Sequence, residues 1–202
     1  MTEADDRVLD AFREIMNIGV GKAAALMNTM LSNHVTLSVP MINLLSVEEF
    51  ESTAFFPKNV SYSAIEMKYS GIFDGVVDLV FDTASAGKLV DSLAGSESRD
   101  PGDFDSLRAG TLCEIGNIVI NGVLGTMANI LDLHLKFSVP FYHEGLGMQL
   151  FKGNTMDKNS MVLLTKATFT IQELSITGDL AMFFSFTSFS AIRPVLISLG
   201  QS

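Results

Sequence analysis

The chain has 202 residues, 48% of them hydrophobic, with a net charge of −10 and a single cysteine, Cys113. The apolar fraction and positive mean hydropathy exclude a disordered chain. The acidic balance argues against nucleic acid and an anionic membrane surface, which both need clustered Lys and Arg, and a lone cysteine excludes a disulfide framework. No segment reads as a membrane span of about 18 apolar residues, and the acidic start is unlike a secretory signal, so a soluble, cytoplasmic protein is expected.

Residues 5–32 read as a helix. Leu9, Phe12, Met16, Val20, Ala23, Met27 and Met30 recur at three- and four-residue steps and form one apolar stripe. Asp10, Glu14, Asn17 and Gly21 fall on the other side, within about 60° of one another at 100° per residue. Residues 33–40 then alternate as a strand, with Pro40 ending its ladder or placing it at an edge. More strands are expected at 41–47, about 51–56, 63–69 and 72–82, the last split by an Asp74-Gly75 hairpin turn. Residues 83–94 open with a Thr/Ser cap signal and read as a short helix.

Residues 95–103, rich in Gly, Ser, Pro and Asp, read as a linker, after which the pattern restarts. Leu112, Gly116, Ile120, Val123, Met127 and Ile130 form a second helical stripe, with Glu114, Asn117 and Asn121 opposite. Leu135, Phe137 and Val139 alternate before Pro140. Residues 143–159 read as loop or hairpin, and 161–171 and 178–187 as strands divided by a turn at Thr177-Gly178-Asp179. A last helix is expected at 188–199, with Pro194 tolerable only in its first turn or two.

Helix, antiparallel strands and short helix are thus stated twice, in halves 1–97 and 104–202. Between residues 14–40 and 114–140, ten of 27 positions are identical without a gap: 14, 15, 17, 18, 27, 31, 34, 38, 39 and 40 match their mates one hundred residues on. The expected fold is α+β and pseudo-twofold, an internally duplicated chain with one antiparallel sheet and two long helices packed on it.

A single Glu-x-x-Asn on an exposed helix face is usually only a solvated surface. Surface substitutions cost little, within about 0.5 kcal/mol, so a polar pair retained in both copies points to use. Its neighbours have changed: Asp10 is matched by Gly110, Arg13 by Cys113 and Lys22 by Gly122. Asn does not titrate, but its amide both donates to and accepts from water, and Glu can pair with a cation or act as a base. No Ser/His/Asp set or Cys/His pair accompanies them in the sequence, and His34, His134 and His143 form no H-x-x-x-H pair. The pair suits a site completed by another protein. Gly19-x-Gly21-x-x-Ala24 resembles a dinucleotide fingerprint but falls inside a helical pattern, where close helix packing is the better reading.

The pattern Asp/Ser-x3-Glu-x2-Asn-x22-Pro is met by Asp10, Glu14, Asn17 and Pro40, and by Glu114, Asn117 and Pro140 in the second copy. It resembles that of the CheC/CheX/FliY family of chemotaxis phosphatases, and two motifs with no appended flagellar switch domain make the chain CheC-like. Gly110 departs from the pattern, with Ser106 one turn earlier. The resemblance implies hydrolysis of the aspartyl-phosphate of a CheY-type response regulator. Asn17 and Asn117 would orient water, and Glu14 and Glu114 would pair with a regulator lysine. This chain would bind no cofactor, and Mg²⁺ would sit on the regulator. The alternative is a non-catalytic module that sequesters a phospho-regulator or docks the receptor deamidase CheD. A third reading is small-molecule binding near Gly19. Duplication within one chain is compatible with a monomer.

Overall fold

A computed structural model describes residues 3–31, 35–52, 54–94, 101–151, 160–171 and 174–199. The side chains of Met30 and Pro40, like the whole of His34 and the linker residues 95–100, lie outside the described residues.

Helix α1 spans Glu3–Leu31, and its apolar stripe is where the 3.6-residue period puts it: Phe12, Met16, Val20, Ala23 and Met27 are buried. Strand β1, Val35–Ser46, follows, then a short helix α2, Val47–Ser52. Residues expected as a strand at 51–56 therefore end α2 and enter a loop. The cause is a capping box at Ser46-x-x-Glu49. The Ser46 amide donates to the Glu49 carboxylate at 2.7 Å, and the Glu49 amide donates back to Ser46 Oγ at 3.2 Å. Strands β2, Ser61–Ser70, and β3, Gly75–Asp82, form a hairpin whose loop is 71–74, so residues 72 and 73, expected as strand, lie in the loop and Gly75, expected in the turn, opens β3 opposite Tyr69. Helix α3 is Thr83–Ala94.

Helix α4, Pro101–Ile130, starts inside the expected linker, with Pro101 at a first-turn position that needs no N–H partner. Its segment Ser106–Ile130 is long and apolar enough to cross a membrane by length and composition, contrary to the sequence expectation. Its most apolar 18-residue window is 56% buried within this fold, the behaviour of a core helix. Next come a two-residue strand β4, Lys136–Phe137, then β5, Phe141–Leu146, and a 3₁₀ helix, Gly147–Phe151. The expected 135–139 strand is thus reduced to two residues, and the region read as loop from 143 begins with a strand. Strands β6, Ser160–Ile171, and β7, Leu174–Ser185, precede helix α5, Phe186–Leu199.

The turn expected at Gly178 is absent. Gly178 lies inside β7 opposite Ala167, and a Cβ there would stand 2.6 Å from the Phe81 ring. The glycine is there to admit a ring, not to bend the chain. Pro194 falls in the third turn of α5, deeper than expected.

The strands form one sheet in the order β1-β6-β7-β3-β2-β4, with β5 also pairing β2. Every pairing is antiparallel. The strand segment after each long helix joins the other hairpin, β1 to β6, and β4 and β5 to β2, so the two parts interlock. Pro40 lies in β1 at an edge of this sheet, between Ser38 and Met41 where the register shifts, so its missing N–H breaks no central ladder. Its mate Pro140 separates β4 from β5.

Alternation along the strands builds two cores. Ile65, Met67, Val77, Leu79 and Phe81 face the long helices, while Ala64, Val80, Ala181 and Phe183 face α2 and the 3₁₀ helix. In the smaller core Phe50 meets Phe56, Phe151 and Phe183 edge-on at 5.3–6.0 Å between centroids. Each fully buried phenylalanine contributes about 2–3 kcal/mol. The long helices touch at two glycines. A Cβ on Gly19 would lie 2.7 Å from Val123 Cα, and one on Gly122 would lie 2.9 Å from the Gly19 carbonyl. This close approach fixes which face of each helix is left to solvent.

Candidate functional site

Two faces remain uncovered, one on each long helix. On α1, Asp10, Glu14 and Asn17 are all exposed, on the side opposite Phe12, Met16 and Val20. Asp10 accepts a hydrogen bond from Arg13 one turn on, so its carboxylate is held on the rim of this face. On α4, Glu114 and Asn117 are exposed at the same spacing. The structure therefore brings Glu14 to Asn17 and Glu114 to Asn117, each pair sharing one helix face at i, i+3. Gly110 is exposed with open space around it and leaves the second face without the upstream carboxylate.

The two sites differ in a second way. Asn121 Nδ2 donates to Asn117 Oδ1 at 2.7 Å, one turn apart on α4. The equivalent position on α1 is Gly21, which has no side chain. Asn117 thus has one acceptor lone pair engaged and a fixed rotamer, whereas Asn17 lacks this restraint. Pro140 lies beside the second helix: Cys113 Sγ stands 4.0 Å from its carbonyl. Burial pushes the Cys113 thiol up from its ordinary range, the opposite of an activated nucleophile.

Each Glu also borders an open groove. The one beside Glu14 has a volume of about 530 Å³ and runs along α1 to Leu199 at the end of α5. The one beside Glu114 has about 460 Å³ and runs along α4 to Leu93 at the end of α3. Five α1 positions line the first, 10, 11, 14, 15 and 18, and their five mates on α4 line the second. The sequence held a trace of this, since Ile15/Ile115 and Ile18/Ile118 are identical between the copies. The grooves themselves form only when α3 and α5 pack.

Two polar clusters away from these faces escaped the sequence reading. Arg108, near the start of α4, donates to Ser63 Oγ and to the Thr83 carbonyl, both at 3.0 Å, and stands 3.4 Å from Glu144. Tyr142 donates to the same Glu144 carboxylate, and burial, first among its causes, raises the Tyr142 phenol. The cluster pins α4 to β2, β5 and the start of α3. On the other face of the sheet, Asp78, fully buried, sits 3.5 Å from His143 Nε2 and directly across the ladder from Glu66. Hydrogen bonding to Asp78 raises the His143 pKa despite partial desolvation. Glu66, Asp78 and His143 bring one ligand atom each within 4.8 Å, the described residues that could share a metal ion, and Lys68 Nζ approaches Glu66 at 3.8 Å.

The CheC-like family matches residues 8–44, which contain Asp10, Glu14, Asn17 and Pro40. The chain is similar to the CheY-P phosphatase CheC of Bacillus subtilis, 29% identical over 134 residues, or 65% of this chain and 64% of that protein. The match thus spans a little under two thirds of the relative's length. Among solved structures, Thermotoga maritima FliY superposes with a TM-score of 0.70 at 17% identity, covering 100% of this chain and 98% of that one. CheX, in a CheX–CheY–BeF3–Mg²⁺ complex from Borrelia burgdorferi, superposes with a TM-score of 0.52 at 19% identity, covering 91% of this chain and 99% of that one. At these identities the structural likeness speaks to the fold, and the α+β sheet with two long helices agrees with it. The motif on α1, the sequence similarity and the fold converge on one likeness: the chain is similar to proteins of the CheC/CheX/FliY family.

Proposed function

We propose that this protein hydrolyses the aspartyl-phosphate of a CheY-type response regulator, with the exposed face of α1 or α4 docked over the phosphoryl group. The observation that carries the reading is the pair itself. The same Glu and Asn stand exposed at the same spacing on both long helices, where packing gives no reason to retain them. Similarity to a protein named CheY-P phosphatase supports the substrate, and the fold's likeness to a CheX solved with CheY supports the docking.

The chemistry follows from what the two side chains can do. Asn17 or Asn117 accepts a hydrogen bond from a water molecule through its amide oxygen and aims it in line with the aspartyl oxygen–phosphorus bond. Water oxygen bonds to phosphorus, the acyl–phosphate bond breaks, and the aspartate leaves as a carboxylate with inorganic phosphate as the other product. A Mg²⁺ held by the regulator would neutralise charge on the transferring group. Glu14 or Glu114 pairs with the regulator's lysine and fixes the pose. Positioning supplies the rate gain, as for the water-orienting glutamine of GTPases, and this chain contributes no nucleophile.

The test is decay of phospho-regulator with Asn17→Ala and Asn117→Ala combined. Loss of about 10²-fold of the acceleration is expected, with unchanged far-UV circular dichroism. An undiminished rate would remove the Asn pair from the mechanism. Substoichiometric protein should clear excess phospho-regulator, which a sequestering module could not do.

A further inference from the structure

We infer that the groove beside each Glu is the socket for an apolar side chain which the docking partner presents next to its cation. The inference rests on the phosphatase reading and adds to it the chemistry of the partner's surface.

One retained isoleucine is only partly packed. Ile18 is 37% exposed, yet isoleucine stands at the same position in both copies. Its mate Ile118 is 8% exposed, so burial accounts for one member of the pair and not for the other. Both line a groove, and five α1 positions in the first groove have their repeat mates on α4 in the second, beside Ser106 and Leu107 there and Ile130 in the first. The far walls are leucines from different helices, Leu199 of α5 and Leu93 of α3, so the same shape is rebuilt from separate parts.

Helix geometry then places the socket relative to the chemistry. Glu14 lies between Asn17, about 60° to one side, and Ile18, about 40° to the other. Around a helix about 10 Å across, Asn17 and Ile18 are separated by about 9 Å of surface. A partner that sets a phosphoryl group over Asn17 and a lysine over Glu14 therefore has its next surface residue over the groove. The rim of that groove carries Glu14 and the Arg13-paired Asp10, and its floor and walls are apolar, from Ile15, Ile18 and Leu199. It fits an apolar side chain flanked by a positive charge, presented by a folded protein. The second groove lacks the rim carboxylate at Gly110 and relies on Glu114 alone.

The experiment uses single-site proteins and measures both KM and kcat for phospho-regulator decay. Asn117→Ala leaves only the first site, in which Ile18→Ser is introduced; Asn17→Ala leaves only the second, in which Leu93→Ser is introduced. Because Ile18 is partly exposed and Leu93 half-buried, both changes should leave the circular dichroism unchanged. The expected result is a roughly tenfold rise in KM with kcat within twofold, as loss of one buried apolar contact predicts. Ile18→Leu should restore KM. If a single-site protein hydrolyses its substrate and KM stays put, the groove inference is overturned while the phosphatase reading stands. If the wild-type protein does not speed decay, both fall. Sedimentation run alongside covers the remaining occupant: self-association lost in Ile18→Ser, with KM unmoved, would assign the groove to a second copy of the chain and overturn the inference.

Discussion

Alanine at Gly19 should destabilise the protein, and alanine at Gly21, two residues along the same helix, should stabilise it. Both replacements gain helix propensity, about 1 kcal/mol each for glycine in a helix interior. At Gly21 nothing lies within 4 Å of the added Cβ, so that gain stands alone. At Gly19 the Cβ would come to 2.7 Å from Val123 Cα and 3.0 Å from the Gly122 carbonyl, and both obstacles are backbone. The helices must separate by roughly 1 Å, an overpacking that costs about 1–3 kcal/mol. Net destabilisation of about 1 kcal/mol is expected at Gly19. Subtracting one variant from the other cancels the shared propensity and leaves the contact, about 2 kcal/mol. For a domain of this size 1 kcal/mol shifts Tm by about 2–4 °C, so the two variants should melt about 4–8 °C apart. Thermal and urea melts followed at 222 nm measure this. If Gly19→Ala raises Tm as Gly21→Ala does, α1 and α4 do not meet at that glycine, and the placement of both sites must be redrawn.

Other consequences can be checked in parallel. Arg108→Met should cost about 2–4 kcal/mol in urea melts, because Arg108 is only 14% exposed and its loss leaves the fully buried Ser63 without a donor and Glu144 without a cation. His143 should tie stability to pH: its folded pKa lies above the unfolded value, so its contribution is complete below about pH 6.5 and is lost as pH rises through the folded value. The wild-type urea midpoint should fall more between pH 6 and pH 8 than that of His143→Asn, whose Asp78 and Glu66 carboxylates no longer face a titrating ring; equal slopes would contradict the pairing. Removing the Asn117 restraint with Asn121→Ala, in the Asn17→Ala background, should lower kcat about fivefold at constant KM, the effect of one lost hydrogen bond of about 1 kcal/mol.

What the sequence revealed, and what it hid, divides along the range of the interactions. The long helices were legible because their stripes repeat every 3.6 residues over many turns, and the β2–β3 hairpin because Asp74-Gly75 marks the end of its loop. The candidate site was legible because one chain carries its Glu/Asn pair twice. Helix α2 was missed although its capping box was in view, a local signal overruled by neighbouring β-like residues. Strand β5 is short and has only β2 as a partner, so little in its own six residues declares it. Gly178 misled because glycine serves turns and close packing alike, and only the Phe81 ring, far away in the chain, decides between them. Arg108 and the two grooves depend on residues tens of positions apart, and no local period encodes them. Pro40 and Pro140 show the same limit: identical in sequence, one sits at a bulge in an edge strand and the other divides two strands.

Pro194 gives the two grooves walls of different stability. A proline in the third turn of α5 cannot donate to the Ser190 carbonyl, and its ring crowds that carbonyl, so the backbone ladder is interrupted between the first two turns and the last. The stretch ending in Leu199 is held to the rest of α5 by fewer rungs and opens at lower free energy than the turns before it. Helix α3 contains no proline, so the turn ending at Leu93 keeps its backbone rungs to the turns before it. In amide hydrogen exchange, residues 195–199 should lose protection well before residues 90–94. The first groove therefore has the looser wall and the second the firmer one. On the docking reading proposed above, the chain thereby carries one tolerant and one exacting version of the same groove.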